Sequence, residues 1–165
     1  ALDRYSKNHI INNFSDNNFY VNDFINFDLI WNTGIGFGLL SSNSILFYNL
    51  ISGIIASVII FLIIFAMRSD KFDKFNFSII IGGAIGNFYD RITLNAVPDF
   101  IDLHYLEFHW FTFNFADIFV TIGIIAYILR DLILKKWINE KNIFNNVLCS
   151  SSFMSKHGWG KKGFI

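Results

Sequence analysis

Two aspartates, Asp99 and Asp117, flank a short aromatic stretch and fall at the same edge of two apolar segments. A carboxylate at membrane depth costs at least a few kcal/mol, so an acid kept there usually carries function. Two acids at one depth can share a proton, because like charges held close together do not both ionise cheaply. One residue type then supplies both a general acid and a general base.

Other polar residues gather around the pair. Gly82-Gly83-Ala84-Ile85-Gly86 leads into Asn87-Phe88-Tyr89-Asp90-Arg91. Asn87 and Arg91 are four apart and share a helix face, with Asp90 beside them. Asn114 stands three residues before Asp117. Each feature has a plainer explanation. Gly82 and Gly86 form a small-xxx-small pair suited to close helix packing. Asp117 suits the positive N-terminal end of a helix, and Asp99 is explained as a loop residue paired with Arg91. Taken singly, these explanations are as good as catalysis. Two acids, two asparagines and one arginine at one membrane face favour chemistry.

The elements that must position these residues are apolar helices. The chain has 165 residues, 53% of them hydrophobic, with 21 Phe. Such a composition describes an integral membrane protein of one domain. Net charge is zero, so nothing draws the chain to nucleic acid. The single Cys149 cannot form an internal disulfide.

Tyr48 to Met67 is a run of 20 residues without a charge, long enough to cross a hydrocarbon core of ~30 Å. Phe75 to Tyr89 is shorter, so a helix spanning there carries Asp90 and Arg91 at the interface. A third span runs from about Phe111 through Leu134. Lys and Arg are absent between Lys7 and Arg68 and again from Ile92 to Leu129, whereas Arg68, Lys71 and Lys74 cluster and seven more lie from Arg130 onward. The positive-inside rule then places the 68–74 loop and the C-terminus in the cytoplasm. Segments 8–47 and 90–116, with both aspartates, face outside. In 8–47, β-like stretches at Phe24–Ile30 and Ile35–Leu40, split by Asn32-Thr33-Gly34, predict a small sheet or hairpin on the outer surface. The aromatic residues of 100–115 predict a headgroup-level belt. Residues 1–145 are read as the membrane domain and 146–165 as a disordered cytoplasmic tail.

These residues carry a resemblance. The stretch 82–91 matches the Gly-Gly-Ala-x-Gly-Asn-x-x-Asp-Arg pattern of the lipoprotein signal peptidases (signal peptidase II), aspartic peptidases of the bacterial inner membrane. Val97 to Phe100 matches Val-x-Asp-Phe, and Phe113 to Asp117 matches Phe-Asn-x-Ala-Asp. Asn32, Gly34 and Phe37 match an upstream Asn-x-Gly-x-x-Phe element, and Asp3 and Lys7 a first-helix Asp-x-x-x-Lys element. Five elements in order are far more specific than one.

The resemblance implies a mainly α fold: a bundle of four transmembrane helices with a small β-sheet on the outer membrane surface. Only Ala1 and Leu2 precede Asp3, where the family has a full helix, so three complete spans and a truncated first helix are expected. The resemblance also implies a catalytic dyad of Asp99 and Asp117. Asn32, Gly34, Phe37, Gly83, Gly86, Asn87, Arg91 and Asn114 would bind substrate or support the dyad. Asp3 and Lys7 would stabilise the sheet, Asp90 would be structural, and Asp102 would have a minor role. The implied substrate is a diacylglyceryl-modified prolipoprotein, cut by a monomer in the lipid bilayer. No cofactor or metal is expected; His104 and His109 are five apart and share no helix face. Pro98 departs from the family's usual Val or Ile and stiffens the loop carrying Asp99.

Other peptidase classes fit poorly. A rhomboid-type serine site needs Gly-x-Ser-Gly, but Leu50-Ile51 precedes Ser52-Gly53, and no histidine lies inside an apolar span. A presenilin-like aspartyl site would share Tyr89-Asp90, but the chain has no Gly-x-Gly-Asp. The non-enzyme alternative is a small proton-coupled transporter or an inactive homologue, since buried acids also relay protons.

Overall fold

The structure, a computed structural model, describes residues 1–14, 19–34 and 45–156, with side chains through Lys141. The elements run α1 (Leu2–Asn13), β1 (Phe19–Asn22), β2 (Ile25–Asn32), α2 (Ile45–Arg68), α3 (Lys71–Leu94), β3 (Val97–Tyr105), β4 (Phe108–Phe113) and α4 (Phe115–Lys156).

α2 is 24 residues, about 36 Å at ~1.5 Å per residue. Its apolar surface is left open, with Leu46 83%, Met67 73% and Phe61 64% exposed. Water would not tolerate that much bare hydrocarbon on one helix; lipid does. By length and composition α2 is the one helix among the described residues that passes as a membrane span. The tight turn at Ser69-Asp70 reverses the chain, and the Asp70 side chain caps α3 by accepting from the Asp73 N–H at 3.0 Å. α3 also has 24 residues and packs back on α2. Phe65 meets Phe77 edge-on at 5.2 Å, and the Tyr48 hydroxyl donates to the Arg91 carbonyl at 2.8 Å. The start of α2 and the end of α3 are thereby joined.

The sheet is antiparallel with strand order β1-β2-β3-β4. It differs from the sequence reading in three places. A hairpin turn falls at Asp23-Phe24, ahead of the Phe24–Ile30 stretch, and the Ile35–Leu40 stretch lies outside the described residues. Residues 8–13 belong to helix α1 rather than to a β region. The aromatic segment 97–113 supplies β3 and β4, which make half the sheet, and β2 pairs with β3 from Ile25↔Leu103 to Asn32↔Val97. Its aromatic residues divide: Phe100 joins Ile10 and Ile101 in the core, whereas Tyr105, Phe108 and Trp110 are exposed.

Pro98 sits opposite Trp31, before the point where β3 begins to pair with β4 at Ile101. Its missing N–H therefore falls where β3 has a neighbour on one side only, which a strand tolerates. α4 begins at Phe115, four residues later than the start of the third span the sequence predicts. The helix continues to Lys156, past the boundary drawn at residue 146; residues 157–165 lie outside the described part.

The chain divides into two compact units, Ala1–Ile125 and Ala126–Ile165. The first holds the sheet, α1 to α3 and the opening turns of α4. The second contains the remainder of α4. There the Lys135–Asp131 pair is exposed, as are Leu132, Ile133 and Trp137.

Candidate active site

Asn114 is the last residue before α4, and its side chain organises the site. Its Oδ1 accepts the Asp117 N–H at 3.1 Å, while its own N–H donates to Asp117 Oδ2 at 3.2 Å. That reciprocal pair is a capping box, the usual way to satisfy the free N–H groups at a helix start. The remaining group, Asn114 Nδ2, donates to Asp99 Oδ1 at 2.6 Å. One fully buried asparagine thus touches both acids, one on β3 and one in the first turn of α4.

The second Asp99 oxygen accepts from Asn32 Nδ2 at 2.8 Å. Asn32 is held by its own turn, its Oδ1 accepting from the Gly34 N–H at 2.8 Å. Asp117 Oδ1 accepts from Asn87 Nδ2 at 2.8 Å. Asn87 is oriented in turn by Lys7, whose Nζ donates to Asn87 Oδ1 at 2.7 Å.

Asp99 is 2% exposed. Burial, and then the negative charge of Asp117, push its carboxyl up to about 7 against the donors Asn32 and Asn114 and the charge of Lys7. Asp117 occupies a helix first turn, where the macrodipole favours an anion. Asp99 therefore retains a proton far more readily than a free carboxylate.

Lys7 is completely buried and forms ion pairs with Asp3 at 2.9 Å and Asp90 at 2.7 Å. Asp90 also pairs with Arg4, whose guanidinium lies over Tyr89. Asp3 Oδ1 accepts the Ala116 N–H at 2.9 Å, capping a second free amide of α4. Among the described residues, the hydrogen bonds and ion pairs of Asp3 and Lys7 tie α1 to α3 and to the head of α4, whereas the sequence reading had these residues stabilise the sheet. Asp90 is fully buried between Lys7 and Arg4.

Arg91 is buried, and its hydrogen bond among the described residues goes to the Gly34 carbonyl rather than to either acid. It lies over the Tyr48 ring. It shapes the loop after Asn32 and acts on the acids through its charge. A Cβ on Gly83 would lie 2.6 Å from the Ala116 carbonyl oxygen and 2.8 Å from Val120, and one on Gly86 3.2 Å from Asp3. These two glycines admit α4 and α1. Gly82 has nothing within 4 Å, so the packing pair is Gly83 with Gly86, not Gly82 with Gly86. Phe37 lies outside the described residues.

Arg4 and Tyr48 were missed in sequence, because nothing local shows that α1 and α2 reach α3. His104 and His109 were read on helix spacing alone. On paired strands they are direct partners, with ring centroids 5.3 Å apart.

Asn32, Asn87, Arg91 and Asp117 line a cleft of about 310 Å³ closed by Ile55, Ala84, Val120 and Ile124. Asp117 also borders an apolar hollow of about 240 Å³ with Phe111, Phe113 and Ile118. Asp117 therefore stands between a cleft of mixed lining and an apolar hollow.

Apolar helices carrying a small antiparallel sheet, with one acid on β3 and the other at the head of α4, form the frame of a bacterial membrane enzyme. Two solved structures of such enzymes match it. Each has a TM-score of 0.63; one is 32% identical, covering 79% of this chain and 80% of that chain, and the other 30%, covering 79% and 85%. The family is narrower still. Residues 1–134 match the family model for signal peptidase (SPase) II. A lipoprotein signal peptidase of Pelagibacter ubique is 51% identical over 124 residues, covering 74% of this chain and 75% of that protein. One from Francisella tularensis subsp. mediasiatica is 37% identical over 142 residues, covering 82% and 88%. The chain belongs to the signal peptidase II family and is a membrane protease.

Proposed function

We propose that this protease removes signal peptides from diacylglyceryl-modified bacterial prolipoproteins, with Asp99 and Asp117 as its catalytic dyad. The single observation that carries the reading is the buried Asn114 side chain, bonded at once to Asp99 and to the Asp117 amide. It holds the two carboxyl groups to one side chain, with Asp117 at the edge of the cleft.

In this mechanism Asp117 is the ionised base and Asp99 the protonated acid. Asp117 takes a proton from a water as the water oxygen attacks the scissile carbonyl carbon. The Asp99 proton meets the developing oxyanion. As the tetrahedral intermediate collapses, the C–N bond breaks, the proton held by Asp117 passes to the leaving nitrogen, and Asp99 recovers its own. Asn87 and Asn32 keep the carboxylates aimed. The peptide occupies the cleft, and the lipid chains pass over the apolar hollow beside Ile118.

The protein works as a monomer in the inner membrane. The basic 68–74 loop and the C-terminus lie in the cytoplasm, and the sheet and dyad lie at the outer face. The test is to incubate the purified protein in lipid with a diacylglyceryl-modified prolipoprotein and identify the products by mass spectrometry. A new N-terminus at the lipidated cysteine is expected. Cleavage elsewhere, or equal cleavage of the unlipidated precursor, contradicts the substrate assignment.

A further inference from the structure

Asp102, His104 and His109 bring one carboxylate oxygen and two imidazole nitrogens within 4.8 Å of one another on β3 and β4. Asp102 Oδ2 lies 2.7 Å from His109 Nδ1 and 3.6 Å from His104 Nδ1. Around a tetrahedral Zn²⁺ with bonds of ~2.1 Å, ligand atoms stand about 3.4 Å apart. The two measured separations bracket that value.

A second observation comes from the buried polar atoms. His104 is 5% exposed, and its Nδ1 has no hydrogen-bond partner among the described residues. On the other side of the ring, Nε2 lies 3.4 Å from the Asn26 amide nitrogen, while Asn26 Oδ1 is buried, likewise without a partner among the described residues. Turning the Asn26 amide over gives its oxygen a donor. Its oxygen then accepts from Nε2–H, which leaves His104 Nδ1 as a bare lone pair aimed at Asp102. A lone pair facing a carboxylate needs a cation or a proton between them, and a backing hydrogen bond on the far ring nitrogen is the usual support of a metal-bound histidine.

We propose that Asp102, His104 and His109 form a divalent transition-metal site of the zinc type, with Asn26 as the outer support of His104. Two imidazoles and one carboxylate suit zinc better than the oxygen-seeking Mg²⁺ or Ca²⁺. His109 has 58% of its side chain exposed, so the ion enters from solvent and keeps an open position there. The site clips β3 to β4 across the hairpin whose two ends carry Asp99 and Asn114. It takes no part in the dyad's chemistry.

The test uses untagged, chelator-treated protein in detergent and Zn²⁺ as the probe, with bound metal counted after gel filtration. The proposal predicts one Zn²⁺ per chain and a raised melting temperature. His109→Ala should weaken binding at least tenfold and abolish the thermal shift, and His104→Gln should do the same. The exposed His9→Ala should bind like the parent. Co²⁺ should give a visible absorption band in the parent that His109→Ala lacks. Binding well below one equivalent at saturation, or binding unchanged in His109→Ala, overturns the site.

Discussion

Asn114 shows how much a single side chain can decide. Its Oδ1 and N–H close the first turn of α4, and its Nδ2 fixes Asp99. Asn114→Ala should therefore cost about 0.5–2 kcal/mol for the lost cap and also leave Asp99 short of a donor. Thermal unfolding and cleavage rate should both fall. Asp99 binds its proton more tightly folded than unfolded, since its carboxyl is raised from 3.8 to about 7. Its contribution to stability is thus full below about pH 4 and lost as pH rises through about 7. Asp99→Asn should flatten the fall in melting temperature between pH 5 and pH 8. For the parent, cleavage should decline above about pH 7 as the acid form is lost. The sequence reading had Asp117 near a helix start with Asn114 three residues ahead, but it began the span at about Phe111 and so passed over the capping box. The Asn32–Asp99 bond was not legible, because it crosses 67 positions of the chain.

The helices were easier to foresee than the sheet. Uncharged runs announce α2 and the spanning part of α4, whereas β3 and β4 hid inside an aromatic segment. Their turn offers no Asn-Gly or Asp-Gly; Leu106 takes the left-handed conformation, φ 54°, that such residues usually supply. α1 looked like the margin of a β region because its value lies in distant partners. Lys7→Met should leave Asp3 and part of Asp90 buried without their cation, a loss of about 3–5 kcal/mol, seen in thermal unfolding. It should also slow cleavage by freeing Asn87. The glycines separate two roles. Gly83→Ala drives a Cβ against the Ala116 carbonyl and should destabilise by about 1–3 kcal/mol while displacing Asp117. Gly82→Ala meets open space and should stabilise α3 by up to about 1 kcal/mol.

For the whole molecule, the charge pattern and the fold point the same way. The turn at Ser69-Asp70 carries the basic cluster at one end of the α2–α3 hairpin, while Tyr48, Arg91 and the acids gather at the other. With Cys149 replaced by Ser, Glu107→Cys in the β3–β4 turn should react with a membrane-impermeant maleimide added outside, and Lys71→Cys should not. The reverse pattern contradicts the proposed topology. Function was more legible than architecture here, because the chemistry sits in short motifs and the sheet depends on pairings far apart in the chain. The most direct test of the dyad is a gel-shift assay on a diacylglyceryl-modified prolipoprotein, comparing the parent, Asp99→Asn, Asp117→Asn and the exposed control Asp131→Asn. Each dyad variant should lose about 10²–10⁴-fold in rate with its fold intact, and the control should match the parent. Near-parental cleavage by either Asp99→Asn or Asp117→Asn contradicts the mechanism.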